Sequence, residues 1–354
     1  MNILYLNDYP LSISFGGKEV QMFQYLEAFN KLYYDDFKVQ LLDYWSFDAF
    51  KDIDILHIFG HSVWYSNTLP ILKTKFPHLK VIISPTFYIS SEFLYITLSY
   101  FFKKIPVPNY FSMINKILHF SDAIITNSEA EKVQLHRLFP QINLEKFKIV
   151  YNAIESNFNQ FNNANNSNLF LTQYKIEPGY FLSVSFFESR KNTLNLIKAY
   201  LNTFNQTKKK LVLIGKNRFN NKEKFNEVND LIARNKDKII HIDYLERNSD
   251  ILKSAYLHSF AHLMPSLIET PGISNLEAAS FAKNILVGKC KPVEEYFQNF
   301  AVYPKSKYYK DIETAILKIN SQESVNLELQ NLVLTNYNIE NSISKLIEIY
   351  KKIL

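Results

Sequence analysis

The sequence contains a single cysteine, Cys290, among its 354 residues. One thiol cannot form a disulfide within the chain, which excludes the disulfide framework that holds many small secreted domains together. A reducing compartment fits this composition, and we expect the protein to be cytoplasmic. Because an unpaired cysteine commonly packs as a small apolar residue, we expect Cys290 to be buried or half-buried.

Long apolar runs are also absent. The segment Met1–Asn7 has neither the basic start nor the long apolar stretch of a secretory signal, and it predicts a first β-strand. The most apolar stretch, at 92–102, is interrupted by Glu92, Thr97 and Ser99, so it is too short and too polar to span a bilayer. We therefore expect a chain that does not cross a membrane.

The positive charge is modest and dispersed. A formal net charge of +6 is spread along the chain, and no nucleic-acid recognition motif accompanies it. We expect no nucleic acid partner. An anionic membrane face or a phosphorylated substrate remains compatible with this charge.

Glycine is scarce, with only seven residues, so the position of each glycine is informative. Neither a G-x-G-x-x-G motif nor a Walker A motif occurs, which disfavours a nicotinamide-dependent dehydrogenase and a P-loop enzyme. Most of the glycines follow strand-like segments, among them the Gly16–Gly17 pair, Gly60, Gly215 and Gly272. The carboxyl ends of strands are where open α/β sheets bind ligands, so these glycines indicate close approach of the backbone to a ligand.

Short apolar segments alternate with helix-like segments in two series. The first series is Ile3–Leu6, Val39–Leu42, Ile55–Phe59, Val81–Ser84, Ala123–Asn127 and Phe147–Tyr151, and the second is Tyr180–Ser185, Leu211–Ile214, Ile239–Asp243, His262–Pro265 and Ile285–Val287. This alternation predicts two doubly wound α/β domains with parallel sheets. The polar tract Asn157–Asn168 separates the series, and we place the domains at residues 1–165 and 166–338. Apolar residues at helical spacing then predict a final helix over 339–354.

Two loops of the second series carry residues suited to a phosphorylated ligand. The first contains the cationic pair Arg190–Lys191, which could clamp a diphosphate. The second runs from Glu269 past Gly272 into a helix, and backbone amides at a helix N-terminus favour anions. Glu277 follows one turn into that helix, and carboxylates are strong acceptors for sugar hydroxyls.

In this order the segments resemble the large retaining glycosyltransferase family four, which has the GT-B fold. The resemblance covers nearly the whole chain, and the pair Glu269 and Glu277, spaced as E-x7-E, is its most specific feature. It also rests on Gly16–Glu19, Asp122–Ser128, Val150–Ile154, Glu188–Asn192, Glu295–Phe297 and the C-terminal helix.

The resemblance implies a fold, a reaction and a set of site residues. Two Rossmann-like domains would face each other across a cleft, with the last helix packing back on the first domain. A sugar would pass with retention from a nucleotide-diphosphate sugar to a glycan or a lipid-linked acceptor, without a metal and with no cofactor besides the donor. Glu269, Lys191 and Arg190 would be catalytic. The donor would be bound by Gly16, Gly17, Asn152, Gly215, Gly272, Ile273, Ser274 and Glu277.

The sequence also departs from the family pattern. Phe186 stands where many members have an arginine after the first strand of the second domain, and Ser84–Tyr88 lacks the histidine that many members carry. A catalytic histidine therefore cannot be transferred. We expect His57, inside a strand, in the core, and His61 is a candidate for the ligand-binding edge. We interpret Asp52–Asp54, which resembles a metal-binding D-x-D motif, as the entry to a strand.

The acceptor is expected on the first domain. The segment Phe93–Phe120 is rich in aromatic residues and contains Lys103 and Lys104, a combination that suits a membrane surface or a lipid-linked acceptor. Two ordinary helices packed on the sheet would explain the same segment. If the membrane interpretation holds, the protein lies peripherally on the cytoplasmic face. The natural setting would be synthesis of a surface polysaccharide or a glycolipid.

Other functions remain open on the same fold. A nucleotide-sugar epimerase would need no acceptor, and a phosphorylase would need free phosphate. A degenerate member could bind a sugar nucleotide or a partner protein without turnover, and Phe186 and the missing histidine make that alternative relevant.

Overall fold

A computed structural model of the chain describes residues 1–9, 16–46, 48–89, 97 and 109–354. The described chain forms two compact units, Met1–Ala153 with Ile339–Leu354, and Ile154–Asn338. The sequence placed the boundary after residue 165, whereas the segment 154–165 belongs with the second unit. The Asp250 carboxylate holds it there by accepting the backbone N–H groups of Asn162 and Asn163 at 2.8 and 3.1 Å.

The first unit is a parallel sheet with helices on both faces. Its strands are β1 (Asn2–Asn7), β2 (Lys38–Leu41), β3 (Ile55–Phe59), β4 (Lys80–Ser84), β5 (Ala123–Thr126) and β6 (Phe147–Ile149), in the order β2-β1-β3-β4-β5-β6. The helices of the first segment are α1 (Gly17–Leu32), α2 (Tyr65–Lys75), α3 (Tyr110–Phe120) and α4 (Glu129–Leu138), and Leu144–Lys146 is a short 3₁₀ helix. Much of the aromatic segment Phe93–Phe120 lies outside the described residues, which include its residues 97 and 109–120, with α3.

The two faces of this sheet explain why its central strands are largely apolar. Along β1, Leu4 and Leu6 belong to the core beneath α2 and α3, whereas Ile3 and Tyr5 belong to the core beneath α1. Because successive side chains of a strand point to opposite faces, both sets must be apolar.

The second unit repeats this architecture. Its strands are β7 (Tyr180–Val184), β8 (Leu211–Ile214), β9 (Ile239–Ile242), β10 (Ser259–Met264) and β11 (Asn284–Val287), in the order β11-β10-β7-β8-β9. Its helices are α5 (Leu169–Tyr174), α6 (Thr193–Thr207), α7 (Lys222–Arg234), α8 (Asp250–His258), α9 (Ile273–Ser280), α10 (Lys291–Phe297), α11 (Tyr309–Asn320) and α12 (Leu327–Asn336), with a 3₁₀ helix at Ala164–Asn168. Neighbouring strands in this unit are parallel.

The last helix, α13 (Ile339–Ile353), belongs to the first unit. Its apolar stripe, including Ile343, Leu346 and Tyr350, enters the core that α1 covers. The Tyr350 hydroxyl lies 2.7 Å from His57 Nδ1 and 3.2 Å from the Tyr5 hydroxyl, so the helix is also attached by buried polar contacts. Within the described ranges, no helix is both long and apolar enough to cross a membrane.

Candidate functional site

The order of the second sheet identifies the edge at which a ligand is expected. The chain passes from β7 to β8 on one side, whereas β10 lies on the other side of β7. Such a reversal of strand order opens a crevice at the carboxyl ends of β7 and β10. The loops at 185–192 and 265–272 leave these two ends, and the backbone N–H of Leu267 donates to the Arg190 carbonyl at 2.7 Å. The two loops are therefore joined at the crevice.

The three predicted catalytic residues meet in these two loops. The Lys191 ammonium group forms an ion pair with the Glu269 carboxylate. Arg190 NH1 lies 3.3 Å from Glu269 Oε2, and Arg190 NH2 lies 2.9 Å from Glu188 Oε1. The side chains of Lys191 and Glu269 are only 13% and 12% exposed, whereas that of Arg190 is 47% exposed. The cluster thus has a sheltered ion pair and a cation at its rim.

The electrostatics of this cluster keep Glu269 ionised. Burial by itself raises the pKa of the Glu269 carboxyl, but the charges of Lys191 and Arg190 outweigh burial, and the pKa lies below its ordinary value. A carboxylate held in this state is a weak base and a strong hydrogen-bond acceptor. It is therefore better suited to bind a hydroxyl group than to remove its proton.

The loop that carries Glu269 also brings the start of α9 to the cluster. Gly272 precedes the helix with a φ of 84°, and a Cβ there would lie 2.5 Å from Met264 Cε and 3.0 Å from Glu269 Cγ. Met264 Sδ lies 3.7 Å from Lys191 Nζ and 3.6 Å from Ser274 Oγ, so it links the two loops. The amides of Ile273 and Ser274, in the first turn of α9, have no partner within the helix.

The sole cysteine adds a contact to this loop. Cys290 Sγ lies 3.5 Å from the carbonyl oxygen of Glu269, and the residue is half-buried at the start of α10. Burial raises the pKa of the Cys290 thiol. The thiol is thus a weak donor to the loop rather than a reactive group.

Glu277 lies in a second, more buried cluster. The Tyr256 hydroxyl donates to Glu277 Oε2 at 2.7 Å, and Arg247 Nε lies 3.6 Å from Glu277 Oε1. Burial raises the pKa of the Glu277 carboxyl, and Arg247 and the Tyr256 hydrogen bond offset this only in part. Tyr256 in turn stacks on Phe281, with ring centroids 6.2 Å apart. The cluster fixes the carboxylate before any ligand arrives.

Sequence reasoning did not identify Tyr256 or Arg247. Arg247 follows β9 at the carboxyl edge of the sheet, where an arginine could have been suspected. Tyr256 is an inward-facing residue of α8, and no local pattern distinguishes it from an ordinary core tyrosine.

Gly215 lies where β8 ends, against the loop that follows β7. Its φ is 145°, and a Cβ at this position would lie 2.0 Å from the carbonyl oxygen of Ser185. Only glycine allows these two loops to come so close.

We expect Gly215→Ala to lower the free energy of unfolding of the second unit by roughly 2 kcal/mol or more, since strain and a steric clash combine. Gly179→Ala is the matched control, because Gly179 has a φ of 91° but open space around its Cβ direction. Denaturant titration of both variants would measure the difference. If Gly215→Ala and Gly179→Ala lower the free energy of unfolding equally, the close approach of Gly215 to Ser185 does not contribute to stability.

The glycine pair lies in the first unit, at the start of α1. Gly16 is the N-cap of α1, and its backbone N–H donates to Glu19 Oε2 at 2.9 Å, while Gly17 is the first helical residue. Nearby, the Asp8 carboxylate contacts Lys18 Nζ at 3.0 Å and accepts the backbone N–H groups of His61 and Ser62. This polar group lies at the carboxyl ends of β1 and β3, where the strand order of the first sheet reverses.

The sequence indicated the glycines but not the role of Asp8. The carboxylate that ties the loop after β3 to the loop after β1 becomes evident only when the two strands are placed side by side. Asn152, also in the first unit, is buried shortly after β6.

The two histidines of the β3 region differ. His57 is fully buried, as expected, between Tyr350 and Ser84. His61 Nδ1 lies 2.6 Å from the Pro85 carbonyl oxygen, and since a carbonyl only accepts, Nδ1 carries the proton and Nε2 is an acceptor. Burial lowers the pKa of His61, which favours the neutral ring. Asp52–Asp54 directly precedes β3, as expected of a strand entry, and Asp54 Oδ2 accepts the Asn2 backbone N–H at 2.8 Å.

Comparison with known proteins adds a family match and a fold. Residues 172–332, within the second unit, match the family model of group 1 glycosyl transferases. The chain superposes on HepE from Anabaena in complex with UDP with a TM-score of 0.75 and 13% identity, covering 99% of this chain and 100% of HepE. HepE has also been solved in complex with UDP-glucose.

Two further structures are similar over the whole chain. Sucrose-phosphate synthase from Thermosynechococcus elongatus gives a TM-score of 0.75 at 12% identity, with 99% of each chain covered. The lipopolysaccharide outer core galactosyltransferase WaaB gives 0.64 at 13% identity, with 99% of this chain and 100% of WaaB covered. A search of curated protein sequences finds no significant match.

These findings confirm the expected GT-B type fold, with two parallel α/β units. They also confirm the resemblance at the level of the group 1 glycosyl transferases, on the region that contains Arg190, Lys191, Glu269 and Glu277. Membership of the retaining family four remains a prediction.

Proposed function

We propose that this protein transfers a sugar from a nucleotide-diphosphate sugar to an acceptor hydroxyl group. The observation that carries the proposal is the cluster of Lys191, Arg190 and Glu269 at the strand-order reversal of the second sheet. It lies inside the region that matches group 1 glycosyl transferases. A sheltered cation beside an ionised carboxylate offers a contact for the leaving phosphate and a contact for the sugar at the same place.

The donor roles follow from the chemistry of each group. Glu277, fixed by Tyr256 and Arg247, would accept hydrogen bonds from the two ribose hydroxyls. The first-turn amides of Ile273 and Ser274 would contact phosphate oxygens. Gly215 and Gly272 complete the donor-binding set proposed for the second unit. Gly16, Gly17 and Asn152, in the first unit, are proposed as donor-binding residues from the family resemblance alone.

The reaction breaks the bond between the anomeric carbon and the diphosphate oxygen, and the bonding electrons remain on the diphosphate. Lys191 and Arg190 would stabilise the negative charge that develops there. Glu269 would accept a hydroxyl of the donor sugar and keep the Lys191 ammonium in place. The acceptor oxygen then forms a bond to the anomeric carbon, and its hydroxyl proton passes to the departing diphosphate, which completes the transfer.

Three parts of the proposal rest on the family resemblance. These are retention of the anomeric configuration, independence from a metal, and the absence of any cofactor besides the donor. Glu269 is ionised and paired with Lys191, which makes it a weak base and supports a role other than general base. UDP-sugars are the first donors to test, since the structurally similar HepE was solved with UDP and with UDP-glucose.

We further propose a glycan or lipid-linked acceptor and a role in surface polysaccharide or glycolipid synthesis, at the cytoplasmic side of the membrane. The support is the structural similarity of the chain to WaaB, a lipopolysaccharide outer core galactosyltransferase. Peripheral contact with the membrane belongs to the same proposal.

The test of the donor site is nucleotide binding to wild-type protein and Glu277→Gln. UDP, GDP, ADP, CMP and NAD would be compared by calorimetric titration. We expect one nucleoside diphosphate to bind, and Glu277→Gln to weaken it roughly ten- to a hundredfold, because a charged acceptor for two hydroxyls is lost.

Glu177→Gln is the control, since Glu177 is exposed in the loop before β7, at the opposite edge of the sheet. Binding that is equally weakened in both variants, or that is unchanged in Glu277→Gln, would refute the ribose assignment. Failure of all five nucleotides to bind would refute the donor site itself.

A second candidate, sugar-nucleotide binding without turnover, is favoured by Phe186 at the position where an arginine was expected. Release of nucleoside diphosphate on addition of acceptors separates the two functions. Acceptor-dependent release supports transfer, release without an acceptor indicates hydrolysis, and tight binding with no release supports the second candidate.

A further inference from the structure

The ring of Phe186, in the loop after β7, is covered by a cation from another loop. Arg218, in the loop that follows β8, stacks on the Phe186 ring, with the guanidinium carbon 3.4 Å from the ring centroid. Both loops leave the carboxyl edge of the second sheet, and β7 and β8 are neighbours in it. The stacking therefore brings a guanidinium group to the edge that also carries Lys191 and Glu269.

The guanidinium group is oriented but not neutralised. Within the ranges that the structure describes, no acceptor bonds to its N–H groups and no carboxylate pairs with it, although the other cations of the cluster, Arg190 and Lys191, are paired with Glu188 and Glu269. Arg218 itself is exposed. The aromatic ring covers one face of the guanidinium, which leaves the N–H edge available to a ligand.

The backbone around Arg218 is held in place. The Arg218 N–H donates to the Phe187 carbonyl at 2.9 Å, and the Phe187 N–H donates to the Lys216 carbonyl at 2.9 Å. The Asn217 side chain donates to the Phe225 carbonyl and to Asn229 Oδ1, each at 3.0 Å. The two backbone bonds and the close approach of Gly215 to Ser185 extend the β7–β8 pairing beyond the strands, and the Asn217 side chain ties the loop to α7. Because its backbone is fixed and its side chain is stacked on Phe186, Arg218 loses less conformational entropy on binding a ligand than a freely mobile arginine would.

We propose that Arg218, oriented by Phe186, binds the diphosphate of the nucleotide-sugar donor. The inference rests on the proposed function of this site. A planar guanidinium with free N–H groups matches the oxygens of a phosphate, and charge-assisted bonds of this kind are the strong ones. Phe186 then serves as the platform that orients this cation.

The experiment measures binding of the nucleoside diphosphate, its monophosphate and its nucleoside, with UDP, UMP and uridine as the first set. We expect Arg218→Ala to weaken UDP roughly ten- to a hundredfold and to leave uridine within about twofold, because only the phosphate contact is lost. Arg218→Lys keeps the charge but not the planar guanidinium, so we expect its UDP affinity to lie between those of wild type and Arg218→Ala. Phe186→Leu keeps Arg218 but removes the ring on which it stacks, and we expect a UDP affinity in the same intermediate range.

Arg234→Ala is the matched control, since Arg234 is an exposed arginine in the last turn of α7. Thermal unfolding without ligand checks that each variant is folded. If Arg218→Ala binds UDP as Arg234→Ala does, or if it loses UDP and uridine equally, the phosphate assignment is overturned. If wild-type protein binds none of the nucleotides in the wider panel, the proposed function fails first, and the role of Arg218 fails with it.

Discussion

Lys191→Met is expected to lower the rate of sugar transfer at least about a hundredfold, with little change in the affinity for the nucleoside. Lys191 is the sheltered cation of the cluster, so in the proposed reaction its charge would act on the leaving diphosphate with little screening by water. Removing one preorganised group of this kind typically costs a factor of about 10² to 10³ in kcat. Steady-state kinetics with the identified donor, compared with nucleoside binding, would measure the effect.

The same substitution should also destabilise the second unit. It leaves the Glu269 carboxylate without its nearest cation in a site that is only 12% exposed. Breaking one partner of a sheltered ion pair costs roughly 3 kcal/mol, whereas the double variant Lys191→Met/Glu269→Gln removes both charges and is expected to be more stable than Lys191→Met alone. If the stability loss of the double variant equals the sum of the losses of Lys191→Met and Glu269→Gln, the two side chains do not depend on each other.

The pH dependence provides a second readout. In wild-type protein the pKa of Glu269 is below its ordinary value, so the pair stabilises the fold above the unfolded-state pKa of about 4.3 and loses that effect as the pH falls through the folded-state pKa. The difference in unfolding free energy between wild type and Lys191→Met should therefore be largest near neutral pH and shrink on acidification. Glu269→Gln should show no such pH dependence at this site. A constant difference down to low pH would contradict the assigned pair.

Tyr350→Ala is expected to unfold or severely destabilise the first unit, by roughly 3–5 kcal/mol. The ring is fully buried between α1 and the sheet and stacks on Phe29 with centroids 5.8 Å apart. Its hydroxyl contacts His57 and Tyr5, so the truncation creates a cavity and also leaves buried polar groups unpaired. Denaturant unfolding followed by hydrogen exchange would locate the loss in the first unit.

Two variants separate the contributions of the ring and the helix. Tyr350→Phe removes only the hydroxyl, and we expect a loss of about 1–3 kcal/mol. Lys352→Ala changes an exposed residue of the same helix and should be nearly neutral. Preferential loss of exchange protection in the second unit, or a neutral Tyr350→Ala, would contradict the placement of α13 in the first core.

The strands and their edges could be predicted from the sequence because they depend on local patterns. Strands covered on both faces must be largely apolar, and this pattern located β3 at Ile55–Phe59 and β8 at Leu211–Ile214. Glycines at strand ends then indicated the ligand-binding edge, and Arg190–Lys191 and Glu269 were found from loops at that edge. The predicted boundary after residue 165 lies too late in the chain, because the polar tract after Asn157 is held by the Asp250 carboxylate, which accepts its backbone N–H groups.

The sequence by itself determined the fold class, the two series of strands and the loops that carry the candidate site, since each depends on the periodicity or chemistry of neighbouring residues. Only the tertiary structure decided which side chains meet. Strand order places the loop of Arg190 beside that of Glu269, some eighty positions later, and brings Arg218 onto Phe186 and Tyr256 onto Glu277. Such pairings arise from the crossover connections of a parallel sheet, which join positions distant in sequence and leave no local pattern.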